Sequence, residues 1–361
     1  IEKDEIIVAG HIIAPYAKFE NDGSFIKSTG NPLTGSDDNG PGVSLVPNLF
    51  WKTKFGDYDI GLGVNVPFGS TVEYDQDWVG RYHAVYTSTK TVNINPNISR
   101  KVSEQFAVGF GLNVQYIDVN LTQKTPLAVA FGGNDGYADL EASGIGFGYN
   151  LGLSYEFDNN LRLGASYRSG IAHSASGEAE FEVDGALAES PAYSKQDIKA
   201  EVTLPATASL SLMYPYSSKL NLLADVSWTG WSSFDELRIE FDNRDDSVQP
   251  EEWNDILRYS LGCTYQYSPD LILRSGLAFD ESPIPSKELR TPRIPDSDRV
   301  WLSFGAGYQL QKDLKVDVAY SHIWGGKPKI EATDAEVGNY VLKGRFDTNV
   351  HILSAQLVWN Y

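Results

Sequence analysis

The sequence predicts an all-β chain, closed into one antiparallel transmembrane β-barrel of about 14 strands of the bacterial outer-membrane type. Three observations predict it. Apolar residues alternate with polar or small ones at period two nearly throughout. Short polar turns recur with roughly 45 to 60 residues between them, room for two long strands and one longer loop. The chain ends on LSAQLVWNY, where Leu353, Ala355, Leu357, Trp359 and Tyr361 share a face, which places Trp359 and Tyr361 in an interfacial aromatic girdle.

In the third strand, Tyr58, Ile60, Leu62, Val64, Val66 and Phe68 oppose Asp59, Gly61, Gly63 and Asn65. Leu161, Leu163, Ala165 and Tyr167 oppose Arg162, Gly164, Ser166 and Arg168; Leu314, Val316, Val318 and Tyr320 oppose Lys315, Asp317, Ala319 and Ser321. Each strand thus has one face for lipid and one wet or small-residue face. Turns are read at FGDYD, RKVSEQ, EFDNN, PYSSK, YSPD and LQKD. An even strand count with both ends on the short-turn side closes the sheet and leaves no edge. Residues 1–361 form one domain, with long loops expected near 18–42, 75–85, 124–143, 184–195, 243–252, 281–297 and 327–344.

Composition excludes several classes. The apolar runs are too short for a helical span, which needs roughly 20 such residues. A mean hydropathy of -0.29 does not exclude a barrel, whose two faces cancel. With one cysteine, Cys263, no intramolecular disulfide forms, and a net charge of -19 repels nucleic acid. The residues His11, His83, His173, His322 and His351 are scattered, there is no Gly-x-Ser-x-Gly elbow, and no ligand spacing for a metal is present. No enzyme activity, metal or soluble cofactor is therefore expected; the competing readings are a lipase-type barrel enzyme and a general porin or adhesin. No signal peptide is seen at Ile1.

Four stretches carry a likeness to a known family: FDESPIPSKELRTPRIPDSDRVWLSFGAGY (279–308), WTGWSSFDELRIEF (228–241), VPFGSTVEY (66–74) and WVGRYHAVY (78–86). They resemble the outer-membrane long-chain fatty acid transporter family, FadL, over almost the whole chain. The resemblance implies a 14-stranded barrel that takes up fatty acids or hydrocarbons in the outer membrane. Members carry a compact N-terminal plug; since Ile1 already reads as the start of the first strand, that plug is expected to be absent here. Expected partners are a hydrophobic small molecule and outer-membrane lipid and lipopolysaccharide, with the protein a monomer.

The third strand is interrupted by Pro67, which lacks an amide donor, and Gly69, which weakens a strand interior. Unpaired backbone facing hydrocarbon costs several kcal/mol per group, so the break must bend inward. The residues alone allow a structural bulge or a functional opening. The resemblance implies a lateral opening formed by Val66, Pro67, Phe68 and Gly69.

The apolar cluster Leu127, Val129 and Phe131 lies in one expected loop, and Phe181, Val183 and Leu187 around the next. Exposed apolar clusters mark grooves, and the resemblance implies an external ligand groove built from both. In the fifth strand the apolar parity runs Phe110, Leu112, Val114, Tyr116 and then switches to Ile117, Val119, Leu121, which fits either a bulge or an apolar upper lumen. The expected lumen pocket comprises Ile117, Val119, Leu121, Gln123, Lys124 and Arg168. The family's two basic positions fall on Gln123, beside Lys124, and near Gln249; Arg168, Arg290 and Arg293 are the arginines that could replace them.

Overall fold

In the computed structural model, which describes residues 4–126, 134–185, 188–335 and 338–361, the strands form one closed barrel. We number its fourteen wall strands in chain order. The first six are β1 (Glu5–Asn21), β2 (Ser44–Phe55), β3 (Tyr58–Asn65 and Gly69–Glu73), β4 (Tyr86–Lys101), β5 (Phe106–Thr125) and β6 (Gly136–Glu156). Next come β7 (Arg162–Arg168 and Ile171–Glu182), β8 (Gln196–Leu204 and Thr207–Pro215), β9 (Leu220–Thr229 and Glu236–Phe241) and β10 (Ser247–Pro250 and Ile256–Ser268). The wall ends with β11 (Leu271–Asp280), β12 (Arg299–Gln311), β13 (Leu314–Gly325 and Lys329–Thr333) and β14 (Tyr340–Asn360). Each strand pairs antiparallel with the next, and β1 pairs with β14 from Glu5↔Asn360 to Asn21↔Gly344, which closes the sheet.

Alternation decides which side chain sees which medium. Val8 and Ile12 on β1, Phe110, Leu112 and Tyr116 on β5, and Leu353 and Leu357 on β14 point outward and are exposed. Such a belt is stable only against hydrocarbon. At its lower rim the Trp51 indole donates to the Tyr361 hydroxyl at 2.8 Å, the placement interfacial aromatics favour. The short turns below are tight: Phe55 pairs with Tyr58 across a two-residue connection, where Gly56 takes φ +61°, a geometry that suits glycine.

The lower inner wall carries uncharged amides. Asn93 donates to Asn65 (3.1 Å) and Asn113 (3.0 Å), and Asn95 donates to Asn150 (2.6 Å). Above, the connection 75–85 folds into the mouth. Trp78 stacks on Tyr74 (ring centroids 4.0 Å), meets Phe19 edge-on at 5.6 Å and donates to the Ala84 carbonyl at 2.7 Å. This aromatic core packs against Ala17 of β1, Ile330 and Ala332 of β13 and Leu342 and Phe346 of β14.

The strands extend further outward than the alternation predicts. Gly136–Ser143 of the expected 124–143 loop belongs to β6, Ser247–Pro250 of the 243–252 loop to β10, and Lys329–Thr333 and Tyr340–Gly344 of the 327–344 loop to β13 and β14; β1 likewise runs past residue 18 to Asn21. Beyond the hydrocarbon neither face must be greasy, so ladders continue there without an alternation signal.

Candidate functional site

The break in β3 has a defined register. Asn65 pairs with Asn93 and Gly69 with Lys90, so three residues, Val66, Pro67 and Phe68, stand opposite two, Thr91 and Val92. One extra residue reverses every side chain beyond it. Phe68, placed on the lipid face by simple alternation, therefore turns inward, with its ring 5.8 Å from Trp231. Thr91 holds the bulge in place: its amide donates to the Phe68 carbonyl at 3.2 Å, and its hydroxyl oxygen accepts from the Phe68 amide at 3.0 Å.

The bulge leaves the upper end of β2 without a ladder on its β3 side. Ser44–Asn48 pair with Ile13–Ala9 of β1, but the β2–β3 ladder reaches only Leu49↔Val64. Five residues at the upper end of β2 thus have no ladder partner on β3. Leu45 beside this gap is 72% exposed.

Behind the gap lies an apolar cavity of about 400 Å³. Phe68 and Gly69 line it at the seam; Ile117, Val119 and Leu121 line it from β5, and Trp231, Phe234 and Trp253 form an aromatic wall. Trp253 meets Trp231 at 4.9 Å and Phe234 at 5.0 Å. β5 keeps one register with β4 and β6 along its length, so its parity switch is no bulge. Its inner face changes instead, from Gly111, Asn113 and Gln115 below to Ile117, Val119 and Leu121 above.

Two ionisable groups, Arg293 and Glu251, sit at the cavity's outer part. Arg293 donates through Nη1 to the Thr87 hydroxyl (2.7 Å) and Tyr86 carbonyl (3.1 Å), and through Nη2 to Gln123 Oε1 (2.8 Å). Burial lowers its guanidinium to about 10, opposed by Glu251 and Tyr74. Glu251 accepts from the Trp253 indole at 2.8 Å; burial pushes its carboxyl up to about 8, against the pull of that bond and of Arg293. At the edge, Arg299 pairs with Asp280 (2.8 Å) and Asp296 (3.0 Å). A narrower extension of about 70 Å³ continues outward past Phe181, Phe241, Gln123 and Gln249.

The predicted residues are thus distributed unevenly. Ile117, Val119, Leu121 and Gln123 meet around the cavity and its extension. Lys124 does not: its ammonium lies 5.3 Å from the Tyr137 ring centroid, because the next residue along a strand faces the opposite way. Arg168 also lies outside the cavity lining, at the top of the lower β7 segment opposite Asn150 and Thr207. Phe181 lines the extension, with Tyr193 at 5.7 Å and Phe241 at 6.2 Å. Val183 packs beside Gly136, where an added Cβ would stand 2.9 Å from Val183 Cγ1. Leu127, Val129, Phe131 and Leu187 lie outside the described residues. Arg290 donates to the Lys329 carbonyl (2.5 Å) and so anchors its own loop. Glu251, Trp231 and Trp253 carry no site signal in the sequence beyond the density of tryptophans in WTGWSSF and EEWND.

A closed outer-membrane-type wall around a greasy cavity with an unpaired seam at β3 narrows the comparison. The family model for outer membrane protein transport proteins (OMPP1/FadL/TodX) matches residues 1–361. The chain belongs to this family. Among relatives, an outer membrane protein of Neisseria meningitidis serogroup B is 29% identical over 100% of this chain and 86% of that protein. A long-chain fatty acid transport protein of Escherichia coli is 27% identical over 88% of this chain and 79% of its own length. Among solved structures, a Pseudomonas aeruginosa FadL homologue superimposes with a TM-score of 0.91 at 23% identity, covering 100% of this chain and 91% of the other. The Pseudomonas putida toluene transporter TodX gives 0.71 at 17% identity, with coverage of 100% and 91%. These structures share the fold. The protein is accordingly an outer-membrane β-barrel of a transport family.

Proposed function

We propose that this protein takes up hydrophobic small molecules, long-chain fatty acids or hydrocarbons, through its apolar cavity and releases them sideways into the bilayer at the β2/β3 seam. One observation supports this reading above the others: the cavity lined by Glu251 and Arg293 is also lined by Phe68 and Gly69, at the height where β2 has no ladder partner on β3. Release into the periplasm would expose each methylene at about 0.8 kcal/mol, close to ten for a long chain. Lateral release avoids that cost. Arg293, whose hydrogen-bond partners in the wall are all neutral oxygens, favours cargo with an acidic head group. Capture begins at the outer extension lined by Phe181, together with the apolar loop residues Leu127, Val129, Phe131 and Leu187.

The test is uptake of a labelled long-chain fatty acid and a labelled alkane by cells that lack their own carriers for either and express this protein. The variant Pro67→Val/Gly69→Val fills the seam and should suppress uptake while the barrel stays folded. Uptake by the folded double variant equal to the parent's would remove the seam from the mechanism.

A further inference from the structure

The β3 seam is not the wall's only discontinuity. β7 pairs with β6 below from Glu156↔Arg162 to Asn150↔Arg168, and above from Ser143↔Ser176 to Tyr137↔Glu182. Between these ladders six residues of β6, 144–149, face seven of β7, 169–175. The Ser169 amide donates to the Tyr149 carbonyl (2.9 Å) and the Ser169 hydroxyl accepts from the Tyr149 amide (3.0 Å); Gly144–Gly148 have no ladder partner on β7. They remain paired to β5, and Ile171–Ala175 remain paired to β8.

β7 has slid over the inner face of β6. An added Cβ at Gly144 would stand 2.6 Å from the Ser174 carbonyl oxygen, at Gly146 2.6 Å from that of Ala172, and at Gly148 2.7 Å from Ser169 Oγ. At Gly144 and Gly146 only glycine allows two backbones this close, and Gly144, Gly146 and Gly148 alternate along SGIGFGYN. The crossing segment, Ser169–Ala175, is held by side chains where a ladder is missing. His173 Nε2 meets Gln115 Oε1 at 3.0 Å, and the buried His173 Nδ1 has no partner among the described residues.

This second seam lies level with the first. Phe68 bonds to Thr91, Thr91 pairs with Ile117, Ile117 pairs with Gly144, and Gly144 touches the Ser169–Ala175 segment. One row of residues therefore runs from seam to seam across β4, β5 and β6, at the height where the inner face of β5 turns apolar. Ala175 and Phe68 line the same cavity. Phe147, beside the second seam, is 72% exposed, as is Leu45 beside the first.

We propose that the β6/β7 seam is a second lateral exit from the cavity for the same apolar cargo, held shut here by Ser169–Ala175 seated on the glycines of β6. This rests on the transport reading above. The outward residues Ala172 and Ser174 are small, so the segment offers the bilayer no bulky side chain; displacing it draws the inward Ile171 and His173 off β6 and opens a path from cavity to bilayer past Ala175.

The experiment uses the seam-filled Pro67→Val/Gly69→Val protein. Adding His173→Ala should raise uptake of the labelled fatty acid about fivefold, the change expected in an opening equilibrium when one buried hydrogen bond is lost. Gly146→Val, which wedges the segment off β6, should do the same. Independently, a fatty acid with a diazirine near its tail, photolysed in wild-type outer membranes, should label Ala172 or Ser174 as well as residues 66–69. His173→Ala is read only as a barrel with normal heat-modifiable migration; should either variant misfold, the labelling pattern decides. No rise in uptake together with label confined to residues 66–69 overturns the second exit and leaves the transport reading intact. Absence of uptake by the parent would instead end the transport reading itself.

Discussion

β5 and β3 belong to the same wall, separated only by β4, yet they behave as opposites. β5 holds one register with both neighbours from Ala107 to Thr122, whereas β3 stops pairing at Asn65 and resumes at Gly69 with one residue too many. In β5 the polarity of the inner face changes while the backbone stays regular. In β3 the backbone changes and the side chains follow: Phe68 exchanges lipid for Trp231. A greasy residue can therefore reach the lumen by substitution along a regular strand or by a register shift, and only the second route also opens the wall.

The most severe way to erase this difference is to delete Pro67, which leaves two residues opposite Thr91 and Val92 and restores one register. Uptake of the labelled fatty acid should fall at least about tenfold, since the aqueous route exposes the chain at about 0.8 kcal/mol per methylene. Unchanged uptake by a folded deletion variant would show that the bulge is only structural. Making the upper β5 face resemble its lower half is the next step down. Val119→Asn should weaken fatty acid binding about tenfold, because an unpaired buried amide costs about 1–3 kcal/mol; isothermal titration in detergent reads the change, and unaltered affinity would move the cargo away from β5.

Charge in the cavity offers a finer probe. The Glu251 carboxyl, raised by burial to about 8, is largely neutral at neutral pH and leaves Arg293 as the dominant charge beside it; Tyr82 and His83 face it from the 75–85 loop, and burial lowers His83 to about 4. As pH rises through about 8, Glu251 ionises and repels a carboxylate. Fatty acid affinity should therefore drop above that pH in the wild type and stay level in Glu251→Gln, while alkane affinity responds to neither. An equal pH dependence in both proteins would exclude Glu251 as the titrating group. The smallest effect belongs to Lys124→Ala. Its ammonium sits by Tyr137 outside the cavity, a contact worth about 0.5–1 kcal/mol, so uptake should remain within about twofold of the parent. A larger loss would return Lys124 to the cargo path.

Two errors of sequence reading have opposite causes. Placing Phe68 on the lipid face assumes that parity continues through Pro67, and placing Lys124 beside Gln123 in the lumen disregards parity altogether. By contrast, the switch at Ile117 was visible as a pattern but open in meaning, because a bulge and a greasy lumen write the same letters. The breaks in β6 and β7 leave no mark in the alternation; the glycines of SGIGFGYN signify close backbone approach without saying to what.

The sequence alone determined what local contrast can encode: the lipid-facing belt from Val8 to Tyr361, the polar turns, the closed even-stranded wall and the position of the breaker at Pro67. Tertiary structure decided which distant residues share the cavity. It brought Phe68 of β3, Trp231 after the lower β9 segment, Glu251 of the β10 break and Arg293 of the β11–β12 loop to one surface. Alternation is a one-dimensional record of the solvent on each side of a strand. Partners across the lumen are chosen by how the sheet closes, and a change of register by a single residue exchanges one partner for another.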